Sequence, residues 1–242
     1  MLIFDSMILK TLFLLLCILN FSSCEFKVKE KTEIKIQPKK IIHIDTIYEN
    51  FKRTFPSILI GEQEWMIEDL EIKEFLNGDP IKRVFSEDEW KQYGLQKKPC
   101  YRVKRNIYYY NGHALMDKRG IVPKEYKVPS IKDWDILKQQ MGGQTEASKA
   151  LANYSWTEKT NDTSIVHKGE NSHGFNAGPN GYILSDGGIN NGTCSFWWAN
   201  KSYDSDIPKK LSVFSIGYCS IDVSEMSFVD PSFGANLRCI KK

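Results

Sequence analysis

Long apolar runs are scarce in this sequence. The most apolar stretch, TLFLLLCIL at residues 11–19, is about half of the roughly 20 residues a helix needs to span a bilayer, so no segment reads as a helical span. Charge of one sign is also lacking. The formal net charge is +3 and no clustered basic face is evident, which argues against a nucleic-acid partner. Histidine is sparse: His43, His113, His167 and His173 are scattered, and the cysteines form no CxxC pair, so no metal site is expected. The chain carries no Gly-x-Ser-x-Gly, no His-Glu-x-x-His, no phosphate-cradling Gly-x-x-x-x-Gly-Lys and no cysteine–histidine spacing that marks a nucleophile. Neither an enzyme nor a cofactor is therefore expected.

What is present begins with a leader. Lys10 precedes the apolar run, and Asn20, Phe21 and the small pair Ser22-Ser23 lead directly to Cys24. A cationic residue, a short apolar stretch and a small-residue junction before cysteine describe a bacterial lipoprotein signal. The reading is a signal peptide over 1–23, a lipidated Cys24 opening a tether over 24–54, and one folded domain over 55–242. The partner is then the membrane, through Cys24, and the location is the cell envelope, at the outer membrane or cell surface. The tether carries Lys27, Lys29, Lys31, Lys35, Lys39 and Lys40, a solvated spacer compatible with anionic head groups.

The domain has the material for a core, since most of the 13 Phe, 11 Tyr and 6 Trp fall within it and each can bury on the order of 150–250 Å². Ile58, Leu59 and Ile60 followed by Gly61 read as a strand entering a turn. Ser86 and Glu89 have capping-box spacing, and Ser130 with Asp133 marks a second helix start. From there Ile131, Trp134, Leu137 and Met141 recur at three- and four-residue steps, which predicts one buried face ended by Gly142-Gly143. Thr145 is expected to cap a further short helix. Glycine-rich loops follow Trp156, and strands resume at 194–199, 211–221 and 236–240. Helices followed by short strands predict an α+β domain with two or three short helices, a small antiparallel sheet and long loops.

The segment GEQEWMIEDL at 61–70 fits every specified position of Gly-x-Gln-x-Trp-Met-x-Glu-x-Leu, the opening pattern of the Fibrobacter succinogenes major paralogous domain. FLNGDPI at 75–81, SEDEW at 86–90, KPCY at 98–101, the Asp117-Lys118-Arg119-Gly120 and Val128-Pro129-Ser130 phrases, NSHGF at 171–175 and Arg238-Cys239-Ile240 continue the resemblance over 58–242. That family is common in lipoproteins and secreted proteins of Bacteroidota and Fibrobacteres. The resemblance implies a C-type lectin-like fold, in which terminal strands pair and long loops carry variable surfaces. It implies no activity, because that fold hosts many functions. Departures include Glu125-Tyr126 in place of Gly-Trp, and Val122 where many members have cysteine, which leaves Cys239 without that partner. A calcium site like that of C-type lectins is not expected either: Gly178-Pro179-Asn180 lacks the carboxylate, and Trp198-Ala199-Asn200 lacks the adjoining pair.

The expectation for function is a lipid-anchored binding protein for an extracellular glycan or protein, with a structural envelope component without a small ligand as the alternative and an enzyme as the third, least favoured reading. The expected ligand-binding residues are Trp197 and Trp198, because alternation puts them on opposite faces of one strand, with Asn200 and Tyr203 as hydrogen-bonding neighbours. Core packing of both faces is the competing, plainer reading. Among Cys100, Cys194, Cys219 and Cys239, a hairpin turning between Asp206 and Ile207 sets Cys194 opposite Cys219 and predicts a disulfide there. Cys100 and Cys239 are then the second candidate pair. An asymmetric loop would shift that register.

Overall fold

Two serines followed three residues later by a carboxylate set the ends of the main helices. In the computed structural model, Ser86 caps α1 (Glu87–Leu95) and Ser130 caps α3 (Ile131–Gln140), both as complete capping boxes. At α3 the Ser130 hydroxyl accepts from Asp133 N at 3.2 Å while the Asp133 carboxylate accepts from Ser130 N at 2.7 Å. Ser130→Ala removes one of these bonds and is expected to lower stability by about 1 kcal/mol, read as a shift in the urea midpoint. Trp134, Leu137 and Met141 are buried as the periodicity predicts, with Ile131 half-buried at the edge. The last helix differs from expectation: Gly143 is its N-cap, without a side-chain cap, and Thr145 lies inside its first turn.

The structure describes residues 55–156, 169–190, 194–201, 211–217, 220–227 and 229–242, with three short strands at 42–44, 47–48 and 51–52. Cys24, Tyr203, Cys219, the leader and most of the tether lie outside the described residues. The architecture is mixed α and β, as expected, but contains more than a small antiparallel sheet. Besides α1 and α3, the described helices are α2 (Gly112–Leu115) and α4 (Gln144–Leu151). The described strands form sheets of five, six, three and two, and one pair of them, Lys82–Arg83 with Cys100–Lys104, is parallel.

The C-terminal segment joins the sheets. Strand Gln63–Met66 pairs antiparallel with Ile240–Lys241, with Trp65 opposite Ile240. Upstream of that pairing, the C-terminal segment bonds on two sides. Asn236 N donates to Phe196 O and Trp198 N donates to Asn236 O, while Met66 N and Leu70 N donate to Cys239 O and Leu237 O. The segment read as a strand over 236–240 is thus a tie between the strand Cys194–Asn200 and the segment that carries the GEQEWMIEDL motif.

Strand Cys194–Asn200 is buried at every residue. Phe196 and Trp198 face a cluster that includes Met66, Tyr126, Leu237 and Cys239. Trp197 and Ala199 face another, which includes Trp65, Trp134, Phe175 and Phe214. Its partner Leu211–Gly217 pairs in the register Cys194↔Gly217 and Trp197↔Phe214. The expected register, with Cys194 opposite Cys219, is therefore off by two residues.

Candidate functional site

The residues first expected to bind ligand are held in the core. Trp197 and Trp198 are both 0% exposed and Asn200 is 4% exposed, so none presents a surface for a sugar to stack on. The physical reason is that the strand is not at an edge: Leu211–Gly217 covers one side and Asn236 bridges Trp197 on the other. Both indoles use their N–H inside the protein, Trp198 Nε1 donating to Tyr110 O and Trp197 Nε1 donating to Asp69 Oδ1, each at 2.8 Å.

The second candidate disulfide is not formed. Cys100 and Cys239 are free, buried thiols in separate clusters, Cys100 beside Val84, Trp90 and Tyr109, and Cys239 beside Met66 and Tyr126. Burial pushes the Cys100 thiol up to about 12 and raises that of Cys239 too, where the Asp69 charge adds to the effect. Neither thiol ionises near neutrality. Both are therefore expected to stay unmodified by iodoacetamide in the native protein at pH 8 and to react in denaturant, as peptide mass spectrometry would show.

The Trp197 indole points to the feature that sequence reasoning missed. Asp69 follows the strand Gln63–Met66, and its carboxylate gathers groups from distant parts of the chain. Oδ1 accepts from Trp197 Nε1 and from Arg238 Nε, both at 2.8 Å, and forms an ion pair with Arg238 Nη2 at 2.7 Å. Oδ2 accepts from Asn180 Nδ2 at 2.8 Å. Arg238 is 2% exposed, donates through Nη1 to Phe175 O, and stacks on the Phe175 ring at 4.5 Å. A buried charge needs a partner and satisfied donors, and here all three guanidinium nitrogens are engaged.

This ion pair forms one side of a polar cleft of about 380 Å³, within the usual size range for a small-molecule site. Glu68 and Glu71 line it as exposed carboxylates, and Asn153, Gly178 and Asn180 line it from the segments after α4 and before strand Tyr182–Ile183. Asn106 and Asn176 also contribute, both with positive φ, at 64° and 61°, a conformation asparagine tolerates better than most residues. The wall is held from behind. Ser195 Oγ accepts from Asn180 N, donates to Gly178 O at 2.6 Å and accepts from Gly181 N at 3.3 Å. Tyr109, which burial and the nearby Asp69 charge raise to about 12, stays protonated and donates to Asn180 O. Among the described residues, no group of three or more His, Cys, Asp or Glu is arranged to hold a metal ion.

Compared with known protein families, residues 58–241 match the Fibrobacter succinogenes major domain. The chain belongs to that family. No curated protein and no solved structure matches it.

The phrases that mark the Fibrobacter succinogenes major domain here are mostly parts of its frame. Gly61, at φ 59°, makes the turn between Phe55–Ile60 and Gln63–Met66. Gln63 donates to Asp133 O at 3.1 Å and accepts from Trp65 Nε1 at 3.2 Å, which ties that hairpin to α3. The FLNGDPI and Asp-Lys-Arg-Gly phrases clasp each other: Leu76 N donates to Gly120 O, Arg119 bridges Asp117 and Asp79, and its guanidinium lies 3.8 Å over the Phe75 ring. The NSHGF phrase supplies Phe175 under Arg238, and Asn171 Oδ1 accepts from Asn176 N at 2.7 Å, which fixes the adjoining part of the cleft.

Proposed function

We propose that this protein is a lipid-anchored component of the cell envelope whose Fibrobacter succinogenes major domain, of C-type lectin-like architecture, binds an extracellular glycan or protein without catalysis. The observation that carries the reading is the polar cleft built against the ion pair of Asp69 with the buried Arg238. Its walls include amides and carboxylates, and internal hydrogen bonds position Asp69, Asn153 and Asn180 among them, a preorganised arrangement suited to recognition. The Ser195 hydroxyl beside it is engaged by Gly178 O and by the amides of Asn180 and Gly181, so it acts as a clamp on the wall. The lectin-like architecture is supported by the pairing of Gln63–Met66 with the C-terminal Ile240–Lys241 and by a cleft assembled largely from loops. The anchor is supported by the leader ending at Cys24.

A glycan array probed with the full chain tests the binding role. Selective retention of particular glycans is the expected result. Binding to none, beside specific capture of envelope proteins through a surface other than the cleft, would favour the structural alternative. Intact mass spectrometry of protein from its host tests the anchor, which an unlipidated Cys24 would contradict.

A further inference from the structure

The five-stranded sheet takes up part of the segment read as tether. Strand Ile42–Ile44 pairs antiparallel with Phe55–Ile60 in the register Ile42↔Ser57, His43↔Pro56 and Ile44↔Phe55, and forms the outer strand of that sheet. The compact unit that contains the domain accordingly begins at Lys39 rather than Phe55. Between the two strands, Ile47–Tyr48 pairs back on Phe51–Lys52 and so reverses the chain. Pro56 O accepts from Ile67 N at 3.0 Å, so Pro56, Ile58 and Ile60 direct their backbone groups to the Gln63–Met66 side, and Phe55, Ser57 and Leu59 direct theirs to the outer edge. Ile44 and Ile42 thus meet Phe55 and Ser57 as the hydrogen-bonded pairs. The N–H that Pro56 lacks falls on the inner side, where its absence takes nothing from the outer pairing. The ladder is short: Leu59 faces the same edge, no described strand lies opposite it there, and its side chain is 55% exposed.

We infer that Ile42–Ile44 is a releasable strap that sets how far the domain reaches from its anchor, the reach resting on the lipidated Cys24 proposed above. With the strap docked, the chain from Cys24 to Ile42 extends at most about 65 Å, and with it released the chain from Cys24 to Phe55 extends about 110 Å, at roughly 3.3–3.6 Å per residue. Release therefore adds about 45 Å. A strand of 3 residues held on one side only belongs to the low-stability end of a fold, where elements open locally while the core stays closed. The strand it leaves stays in place: Ile58 and Ile60 are packed in the cluster of Trp65 and Trp134, and Phe55 in that of Met66 and Tyr126. A pull between the anchor and a bound partner does work over the added length, so tension favours the released state. The docked strap in turn guards the edge, since an uncovered strand edge is a template for pairing with other chains.

Native-state hydrogen exchange and force measurements on the full chain test the strap. The Ile42–Ile44 amides are expected to exchange at least about tenfold slower than in a free peptide of the same sequence, yet at least about 100-fold faster than those of Ile58 and Ile60, at a rate independent of dilute denaturant. Stretched between handles at Cys24 and the C-terminus, the chain should lengthen by about 45 Å in a reversible low-force step before the domain unfolds. Two variants accompany the wild type. Ile44→Pro removes the N–H that faces Phe55 O and should abolish both the protection and the step, while the thermal midpoint stays near that of the wild type. His43→Cys with Pro56→Cys joins a non-hydrogen-bonded pair, whose Cα separation of about 4.5 Å a disulfide can close, and should abolish the step only when oxidised. Exchange of 42–44 at the free-peptide rate, or only together with Ile58 and Ile60, overturns the strap, as does a melted Ile44→Pro or a step that survives oxidation of the double variant. An unlipidated Cys24 beside the expected protection and step overturns the reach alone and leaves the strap.

Discussion

Asp69→Ala is expected to destabilise the domain by about 3–5 kcal/mol, because it strands the Arg238 guanidinium at a site 2% exposed to solvent. The same substitution frees the Trp197 and Asn180 donors that the carboxylate accepts, so the cleft wall loosens along with the core. Equilibrium urea denaturation gives the number. Arg238→Met in the Asp69→Ala background should recover part of the loss, since the buried charge is then gone and only the packing on Phe175 has to be replaced. A loss below about 1 kcal/mol for Asp69→Ala would mean that the pair is not buried as described.

Trp134→Ala should be comparably severe, at about 3–5 kcal/mol, through the cavity it leaves. Trp134 stacks on Phe214 at 4.1 Å, lies 4.6 Å from Trp65 and 6.0 Å from Phe175, and so joins α3 to both the motif hairpin and the strand Leu211–Gly217. Its indole N–H is buried without a hydrogen-bond partner among the described residues. Trp134→Phe therefore discards an unsatisfied donor and should cost far less than alanine, whereas Trp198→Phe loses the bond that its indole N–H donates to Tyr110 O. Comparing the two phenylalanine variants by urea denaturation separates packing from hydrogen bonding. Equal losses would contradict the assignment.

Local chemistry was legible in the sequence because its causes lie within one turn. The serines at 86 and 130 and their carboxylates meet across three residues, and both capping boxes form. Gly61 likewise announces its turn through a conformation that suits glycine. Alternation along 194–200 was equally legible as to which residues share a face. What covers each face was not, because Trp134, Phe175 and Leu237 come from distant segments, and so Trp197 and Trp198 read as a candidate surface when they are core. The register at Cys194 failed for a related reason: a turn position inferred from residues 204–208 assumes equal arms on the hairpin, and the strands pair two residues away from that symmetry.

The cleft was the least legible feature. Asp69 and Arg238 are separated by 169 positions, and Asn153 and Asn180 join them from other loops. One signal was available. Arg238 stands among Leu237, Cys239 and Ile240 in a segment otherwise destined for burial, and a lone charge in such a run requires an opposite charge somewhere in the fold. The sequence could not say which carboxylate. In the sequence, residues 178–180 resemble only a lectin calcium phrase with its carboxylate missing, yet Gly178 and Asn180 are held in the cleft wall by hydrogen bonds to Ser195 and Asp69.

Hydrogen exchange of the full chain, with and without a saturating saccharide ligand identified on the array, tests the central claim most directly. Added protection is expected in peptides spanning Asn153–Ser155 and Asn176–Gly181, together with the Ile67–Glu71 segment that also lines the cleft. Protection confined to other surfaces, with these peptides unchanged while ligand is bound, would contradict it.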